Sequence, residues 1–515
     1  MIGYMLNIKE HSQNNSLSSS GSLFQSLLKW ADLQPDTIFI VEAETGRELT
    51  YAQALAGVNA LRQFLGDTPR HLMLALPGGL ANAIVWLSAL SGGHHLIPVS
   101  PNATAEEKWR LARRHRPDVL CVEQPGDAGG FGCPGAVVLS LSACETLIAR
   151  EPSKTSLEPA EGRIYLTTSG TTGEPKYVML TERQITWTAD HVRSSHGLSS
   201  RDRGLTVLPF SHVNAPVVSL CASLLAGGTV VIARRFSRTH FWSWVEQYDI
   251  TWVSIVPTIV AMLLETACPA FLPGSLRFMR TGSAPLPPAD MLAFEARFGI
   301  PVIETYGLSE AASQIVANPI PPGIRKPGSA GLPSSVALRI CYPRTGEKDE
   351  ELCEVASGET GEICVAGPGV IGAYYGNEGK ESFRDGWFRT GDLGYLDEDG
   401  YLFIKGRLRE VINRGGENIV PREIEEAILS YPAVREAAAV GRPDPLYGEQ
   451  PVAYLTVREN WNEQDAQALQ QHVSQRLSQQ KVPVDFVIVE SLPKNAIGKI
   501  QRRLLHMREQ TQFHG

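Results

Sequence analysis

Tyr165 to Leu180 reads YLTTSGTTGEPKYVML, and the reading of this stretch decides the fold. Ile164, Tyr165 and Leu166 make a strand exit, and Tyr177 to Leu180 resume an extended run, so the hydroxyl-rich segment joins two strands. The next helix opens only at Thr181, where Gln184 three residues on completes a capping box. A phosphate loop of the G-x-x-x-x-G-K-[ST] kind runs from strand to helix instead, and Gly170, Gly173 and Lys176 miss its spacing. Successive amides can still form an anion nest without a helix dipole, with hydroxyls adding donors and Lys176 the charge. A flexible Ser/Thr/Gly connection is the competing reading, and the stretch alone leaves both open.

Outward from this hairpin, from about Ser22 to Arg407, short β-branched runs alternate with longer helical patterns, which predicts α/β layering with mostly parallel strands. VVLSL (137–141), GTVVIA (228–233) and TWVSIV (251–256) read as strands, and PADMLAFEARFG (288–299) as a helix. Asp399-Gly400, between aromatic-rich runs, predicts a hairpin. Beyond it the pattern turns α+β, with a helix opening at Pro421, strands at REAAAVG and QPVAYLTV, and an amphipathic helix at DAQALQQHVSQRL. The domains are thus predicted as a poorly ordered lead-in (1–21), a large domain (22–407) and a small one (408–515), with the boundary near Arg409. The sequence carries no internal repeat.

At 515 residues the chain exceeds one ordinary core, and with 43% apolar and 20% charged residues it reads as globular rather than disordered. A net charge of −8 gives nucleic acid no long-range attraction, so any phosphate must be held by local geometry. The basic run Arg110 to Arg116 reads as a solvated helix face. The eight cysteines show no C-x-x-C pairing, as expected of reduced thiols, and a structural zinc site is not expected. The N-terminus lacks the apolar core of a signal peptide, and Ala81 to Gly93 is too short to span a bilayer and reads as a buried helix. The expectation is a soluble, cytoplasmic protein with no membrane span.

Three further stretches carry candidate chemistry. ETYGLSEAA (304–312) sets Glu310 near Tyr306, and a carboxylate beside phosphates is a natural Mg²⁺ ligand, although a solvated Glu at a helix start has the same pattern. FRTGDLG (388–394) offers Asp392 in a glycine-flanked turn suited to a ribose diol, or an ordinary Asx turn. PKNAIGKIQRRLL (493–505) holds Lys494 and Lys499 ahead of a basic helix, or is a charged tail.

Together and in this order these stretches closely resemble the adenylate-forming superfamily of acyl-CoA synthetases, luciferases and peptide-synthetase adenylation domains, from about Ser22 to Arg508. The resemblance implies a large α/β N-terminal domain of layered sheets flanked by helices, with a small β-barrel-like subdomain, and a mobile α+β C-terminal domain hinged at Arg409. It implies a two-step reaction with Mg·ATP: a carboxylic acid becomes an acyl-adenylate, and a thiol, usually that of CoA, then displaces AMP. By position, Thr167, Thr168, Ser169, Gly170, Thr171, Thr172, Gly173 and Lys176 would hold the β- and γ-phosphates. Thr168 and Ser309 would approach them, and Glu310 would bind Mg²⁺. Tyr306, flanked by Thr305 and Gly307, would pack on adenine beside Gly282, Ser283 and Ala284, while Asp392 and Arg407 hold the ribose. Lys499 would bridge carboxylate and α-phosphate in the first step, and Gly415, Gly416 and Glu417 would serve the thiol step. Transfer to an acyl carrier protein or a nitrogen nucleophile is the second reading, and a catalytically dead nucleotide-binding regulator the third.

His212, in LPFSHVNAP, falls where the family gates its acyl pocket; a buried structural His is the plain alternative. Neighbouring segments look most like the oxalyl-CoA synthetase branch. Where that branch is expected to show His-Val-His, this chain has His212, Val213 and Asn214, and the missing imidazole removes a donor for a dianion. A small or medium monocarboxylate therefore stands beside oxalate as the expected acid. Tyr177, where a glycine is usual, either crowds the loop or packs outward.

Overall fold

A computed structural model describes residues 22–150, 158–168, 176–267, 274–343, 352–376, 379–458, 461–494 and 500–514. The lead-in 1–21, most of the hydroxyl-rich loop (Ser169 to Gly173) and Lys499 lie outside the described residues.

The β-branched runs pair as the pattern predicts. Phe278–Thr281, Trp252–Ile255, Arg203–Thr206, Thr229–Ile232 and Ile38–Glu42 lie side by side and parallel. Val302–Leu308 adds to them in parallel and then turns antiparallel into Ser313–Ala317. In a second sheet the parallel strands Val137–Ser140, Val119–Val122, His71–Ala75, His95–Pro98 and Arg163–Thr168 end in the antiparallel edge Lys176–Thr181. Strands buried on both faces need no polar alternation, which is why Trp252–Ile255 and Thr229–Ile232 are buried throughout.

Helix Leu80–Ser91 is buried along its whole length. Each fully buried Leu or Ile there stabilises by roughly 1.5–3 kcal/mol relative to exposure. No described helix is long and apolar enough to cross a membrane. On helix Ala105–His115 the arginines 110, 113 and 114 face solvent while Ala112 and His115 are buried. The seven described cysteines are free.

A third, five-stranded sheet contains Ala337–Cys341, Gly361–Ala366, Phe383–Arg384, Trp387–Leu396 and Leu402–Arg407. The hairpin at Asp399-Gly400 is present, joining Trp387–Leu396 to Leu402–Arg407. The small C-terminal α+β part builds its own sheet from Ile412–Arg414, Glu417–Ile419, Val434–Asp444, Gly448–Val457 and Asp485–Ile488. Helices Pro421–Leu429 and Glu463–Ser474 accompany it. Ile412, Ile424, Ile428, Leu455 and Leu469 share a core separate from the main one.

Candidate active site

Strand Arg163–Thr168 pairs with Lys176–Thr181 in an antiparallel hairpin, and Thr181 caps the following helix through Gln184. Thr167 and Thr168 belong to the ladder itself, opposite Tyr177 and Lys176. The hairpin strands therefore deliver Thr168 and Lys176 together at the loop mouth. Tyr177 packs away from the loop into the protein. Its ring lies edge-on to His115 at 5.5 Å and beneath the Arg114 guanidinium at 4.0 Å.

Lys176 is buried, with Nζ 3.4 Å from Glu381 Oε1 and 4.8 Å above the Tyr374 ring. The Tyr374 hydroxyl donates to Glu310 Oε1 at 2.8 Å. One strap fixes both partners: Ile371 N–H donates to the Glu310 carbonyl and Tyr375 N–H to the Tyr177 carbonyl, each at 2.8 Å. Burial raises the Glu310 carboxyl above its ordinary range. It raises the Tyr374 phenol too, with Glu310 adding to the effect.

A second chain of contacts lies beside the first. Tyr306 OH donates to Asp392 Oδ2 at 2.6 Å, and Asp392 Oδ1 stands 3.0 Å from Arg407 Nε. Asp392 raises the Arg407 pKa beyond its ordinary value, with smaller contributions from Glu410, Tyr306 and Glu310. Asp392 does not occupy the predicted glycine-flanked turn. It sits inside strand Trp387–Leu396, directly opposite Arg407. Gly391, at φ +72°, only twists the strand ahead of it; the ladder to Leu402–Arg407 outweighs the local turn signal.

Glu310 lies in the short turn Ser309–Ala311, between Val302–Leu308 and the returning strand Ser313–Ala317. Gly307 is required there, since a Cβ would fall 1.9 Å from the Ser313 carbonyl oxygen. Thr305 is buried, and its hydroxyl is committed to the Thr281 carbonyl at 2.8 Å, which fits a structural role. Gly282, Ser283 and Ala284 follow the carboxyl end of Phe278–Thr281, the side of a parallel sheet where ligands bind. Ser283 adopts φ +72°, rare for a residue with a Cβ, and its Oγ meets Asn214 Nδ2 at 3.2 Å.

Asn214 opens a π-helical segment, Asn214–Cys221, that passes into an α-helix at Ala222–Ala226. Wide helical turns of this kind recur at functional sites. His212 stands just before it, and its imidazole makes no hydrogen bond among the described residues. Burial lowers its pKa, so the ring is neutral near pH 7. Arg280, which sequence reasoning missed, donates to Asn214 Oδ1 at 2.8 Å and to Ser254 Oγ at 3.3 Å. Tyr374 was missed too; its only signal was an aromatic pair before glycine in the run IGAYYG.

Among the described residues, no hydrogen bond or ion pair links the NRGGEN stretch to these residues. Gly415 and Gly416, at φ +59° and +90°, form the two-residue turn of hairpin Ile412–Arg414/Glu417–Ile419. Gly415, Gly416 and Glu417 are exposed, and the turn is tied to its own domain, by Gly415 N–H to the Tyr447 carbonyl and Gly416 N–H to Asn413 Oδ1.

Four separate segments thus supply a lysine, two carboxylates and an arginine: Lys176 from the antiparallel hairpin edge, Glu310 from the turn after Val302–Leu308, and Asp392 and Arg407 from the third sheet. The chain matches the AMP-binding enzyme family over residues 27–375 and the AMP-binding enzyme C-terminal domain over 423–499. It is 45% identical over 489 residues to the sulfoacetate–CoA ligase of Cupriavidus necator, covering 91% of this chain and 94% of that one. It is 38% identical over 380 residues to the oxalate–CoA ligase of Arabidopsis thaliana, covering 72% and 71%. Its fold matches that of o-succinylbenzoate CoA synthetase (MenE) from Bacillus subtilis in complex with ATP and magnesium ion. The TM-score is 0.80 at 28% identity, over 93% of this chain and 98% of the other.

The chain belongs to the AMP-binding enzymes, the adenylate-forming superfamily. Within it, the protein is an ATP-dependent, AMP-forming acid–CoA ligase.

Proposed function

We propose that the chain activates a small carboxylic acid in two steps at the mouth described above. In the first, a carboxylate oxygen attacks the α-phosphorus of ATP, the bond to the β-phosphate bridge breaks, and pyrophosphate leaves. In the second, the CoA thiolate attacks the acyl carbon, and AMP leaves. The reactants of the first step are both anionic, so cations and donors must be fixed where charge gathers.

The shared placement of Lys176, Glu310, Asp392 and Arg407 carries this reading. Lys176 and the hydroxyls of Thr167, Thr168 and the loop to Gly173 hold the β- and γ-phosphates, with Ser309 alongside. Glu310 fits a Mg²⁺ ligand: its carboxylate accepts from Tyr374 and forms no ion pair among the described residues, and a hard oxygen donor beside phosphates suits that ion. Bound there, Mg²⁺ supplies charge neutralisation. Asp392 and Arg407 hold the ribose, and Tyr306 packs on adenine against Gly282 to Ala284. His212 lines the acid's entry, and Lys499 neutralises the carboxylate and α-phosphate. Residues 408–515 turn about Arg409 between the steps, which supplies a reason for Gly415, Gly416 and Glu417 to stand apart from the nucleotide residues in this arrangement. The acceptor is CoA, as the names of both sequence relatives suggest, and those names also point to short acids.

Pyrophosphate release is the test, with Mg·ATP and a panel from oxalate and malonate through short, branched and aromatic acids, each with and without CoA. The expected products are AMP and an acyl-CoA. The Lys499→Ala variant should lose the first step yet still discharge a supplied adenylate to CoA; equal loss of both steps would remove its assigned role.

A further inference from the structure

Arg280 is 2% exposed, on the central strand Phe278–Thr281, and every partner it has is neutral. Nη1 donates to Asn214 Oδ1 and Ser254 Oγ, and Nε to Gln314 Oε1 at 3.4 Å. Nη2 makes no hydrogen bond among the described residues, and no described carboxylate forms an ion pair with this guanidinium. His196 packs nearby, but burial and Arg280 hold its pKa down at about 3, so it contributes no charge at neutral pH. Burial lowers the Arg280 pKa only to about 9, so the group stays cationic at pH 7. The buried Arg389 of the same chain shows the ordinary solution, with the Glu362 carboxylate at 2.7 Å. A cation withdrawn from water without a counter-ion is strongly unfavourable, and chains keep one where a ligand completes it.

The position of the open donors says which ligand. A Cβ on Gly282 would lie 3.3 Å from Arg280 Nη2, so the guanidinium stands directly behind the Gly282 to Ala284 wall. Asn214 ties this wall to the segment entered from His212: its Nδ2 donates to Ser283 Oγ while its Oδ1 receives Arg280. Asn214 is thus no missing donor. It is a neutral acceptor that orients a cation whose Nη2 is left unpaired. On the ligase reading above, the Gly282 to Ala284 wall borders adenine on its Tyr306 side and, through the Ser283–Asn214 bond, the acid's entry at His212 on the other.

We propose that Arg280 is the counter-ion for a second anionic group of the acid, distal to the carboxylate that is activated, so that the substrate is a short dianion. The group is a carboxylate or a sulfonate, since either oxyanion accepts a charge-assisted hydrogen bond from the open Nη2. The inference rests on the proposed ligase reaction and adds its substrate class.

The test pairs acids of matched length with and without a second anionic group: acetate, propionate and butyrate against oxalate, malonate, succinate and sulfoacetate. Pyrophosphate release is followed for the parent, Arg280→Gln and Asn214→Asp, with thermal unfolding and ATP binding recorded for each. One dianion should exceed its monocarboxylate counterpart about 100-fold in kcat/KM, and Arg280→Gln should erase that margin chiefly through KM. Asn214→Asp, which supplies an internal counter-ion, should unfold no lower than the parent yet lose about 10-fold or more on the dianion alone. Release with monocarboxylates only, or an Arg280→Gln enzyme that keeps the margin, would overturn the inference. If no acid supports release, stabilisation of the parent by a dianion without ATP separates the cases. Stabilisation lost in Arg280→Gln would leave the anion site standing and remove the ligase reading, while its absence in the parent would remove both.

Discussion

Asp392 and Arg407 face each other across an antiparallel ladder and close a 3.0 Å ion pair, while the other Asp392 oxygen receives the Tyr306 hydroxyl. A carboxylate so held is set in place before any ribose arrives. Asp392→Ala should lower kcat/KM for ATP by about 10- to 100-fold, through the loss of charged hydrogen bonds and of the Arg407 anchor. Asp392→Asn, which keeps the shape and one acceptor, should retain more of it. Pyrophosphate exchange at varied ATP reads the difference, and equal rates in Asp392→Ala and parent would exclude the ribose role.

Lys176 is held 3.4 Å from Glu381, a carboxylate that competes with phosphate for the same cation. Lys176→Met should slow adenylation about 100-fold or more, as loss of a preorganised charge at a leaving group does. Glu381→Gln should move the other way, tightening ATP binding up to about 5-fold. Fluorescent-nucleotide titration of both variants checks the pair, and weaker binding in Glu381→Gln would mean that the contact orients Lys176 rather than competes for it.

Tyr177 supports the hairpin from its far side. Tyr177→Phe should leave the adenylation rate within about 2-fold, because among the described residues its ring and not its hydroxyl makes the contacts. Tyr177→Ala should lower stability by about 3 kcal/mol or more, as large-to-small core changes do. Denaturant unfolding measures the second effect and steady-state kinetics the first.

Glu182 opens the helix after the hairpin, buried, with Oε1 accepting the Leu23 N–H at 2.9 Å. Burial first of all raises its pKa from 4.5 to about 7, against the lowering effect of that hydrogen bond. The folded state therefore holds a proton that the unfolded chain has lost, and stability falls as pH rises from about 4.5 to about 7, then levels off. Glu182→Gln keeps the acceptor without the charge. It should unfold at nearly the same temperature as the parent at pH 4.5 and at a higher one at pH 8, a gap of at most about 3 kcal/mol. A gap that does not change with pH would contradict this assignment.

The parallel core was legible because β-branched runs buried on both faces need no long-range information, and because Thr181 with Gln184 announces its helix locally. Asp392 was found but misplaced, since glycines on either side of an Asp suggest a turn unless the partner strand is known. Arg280 could not be found at all. An arginine in a strand reads as an exposed charge, and only the arrival of Asn214, Ser254 and Gln314 from three other segments reveals that its partners among the described residues are all neutral. The Lys176–Tyr374–Glu310 contacts were half legible: the charged ends were read and the phenol between them was not.

The π-helical turns at Asn214–Cys221 carry a consequence for how such a pocket diversifies. Their i→i+5 bonds differ from the α register by one residue, so deletion of a single position there would reset the helix and rotate everything ahead of it by about 100°. His212 and Asn214 would leave the pocket together while the sheets behind them stayed unchanged. Changes of acid among proteins built on this frame should therefore track gains and losses of one residue in this segment as well as replacements.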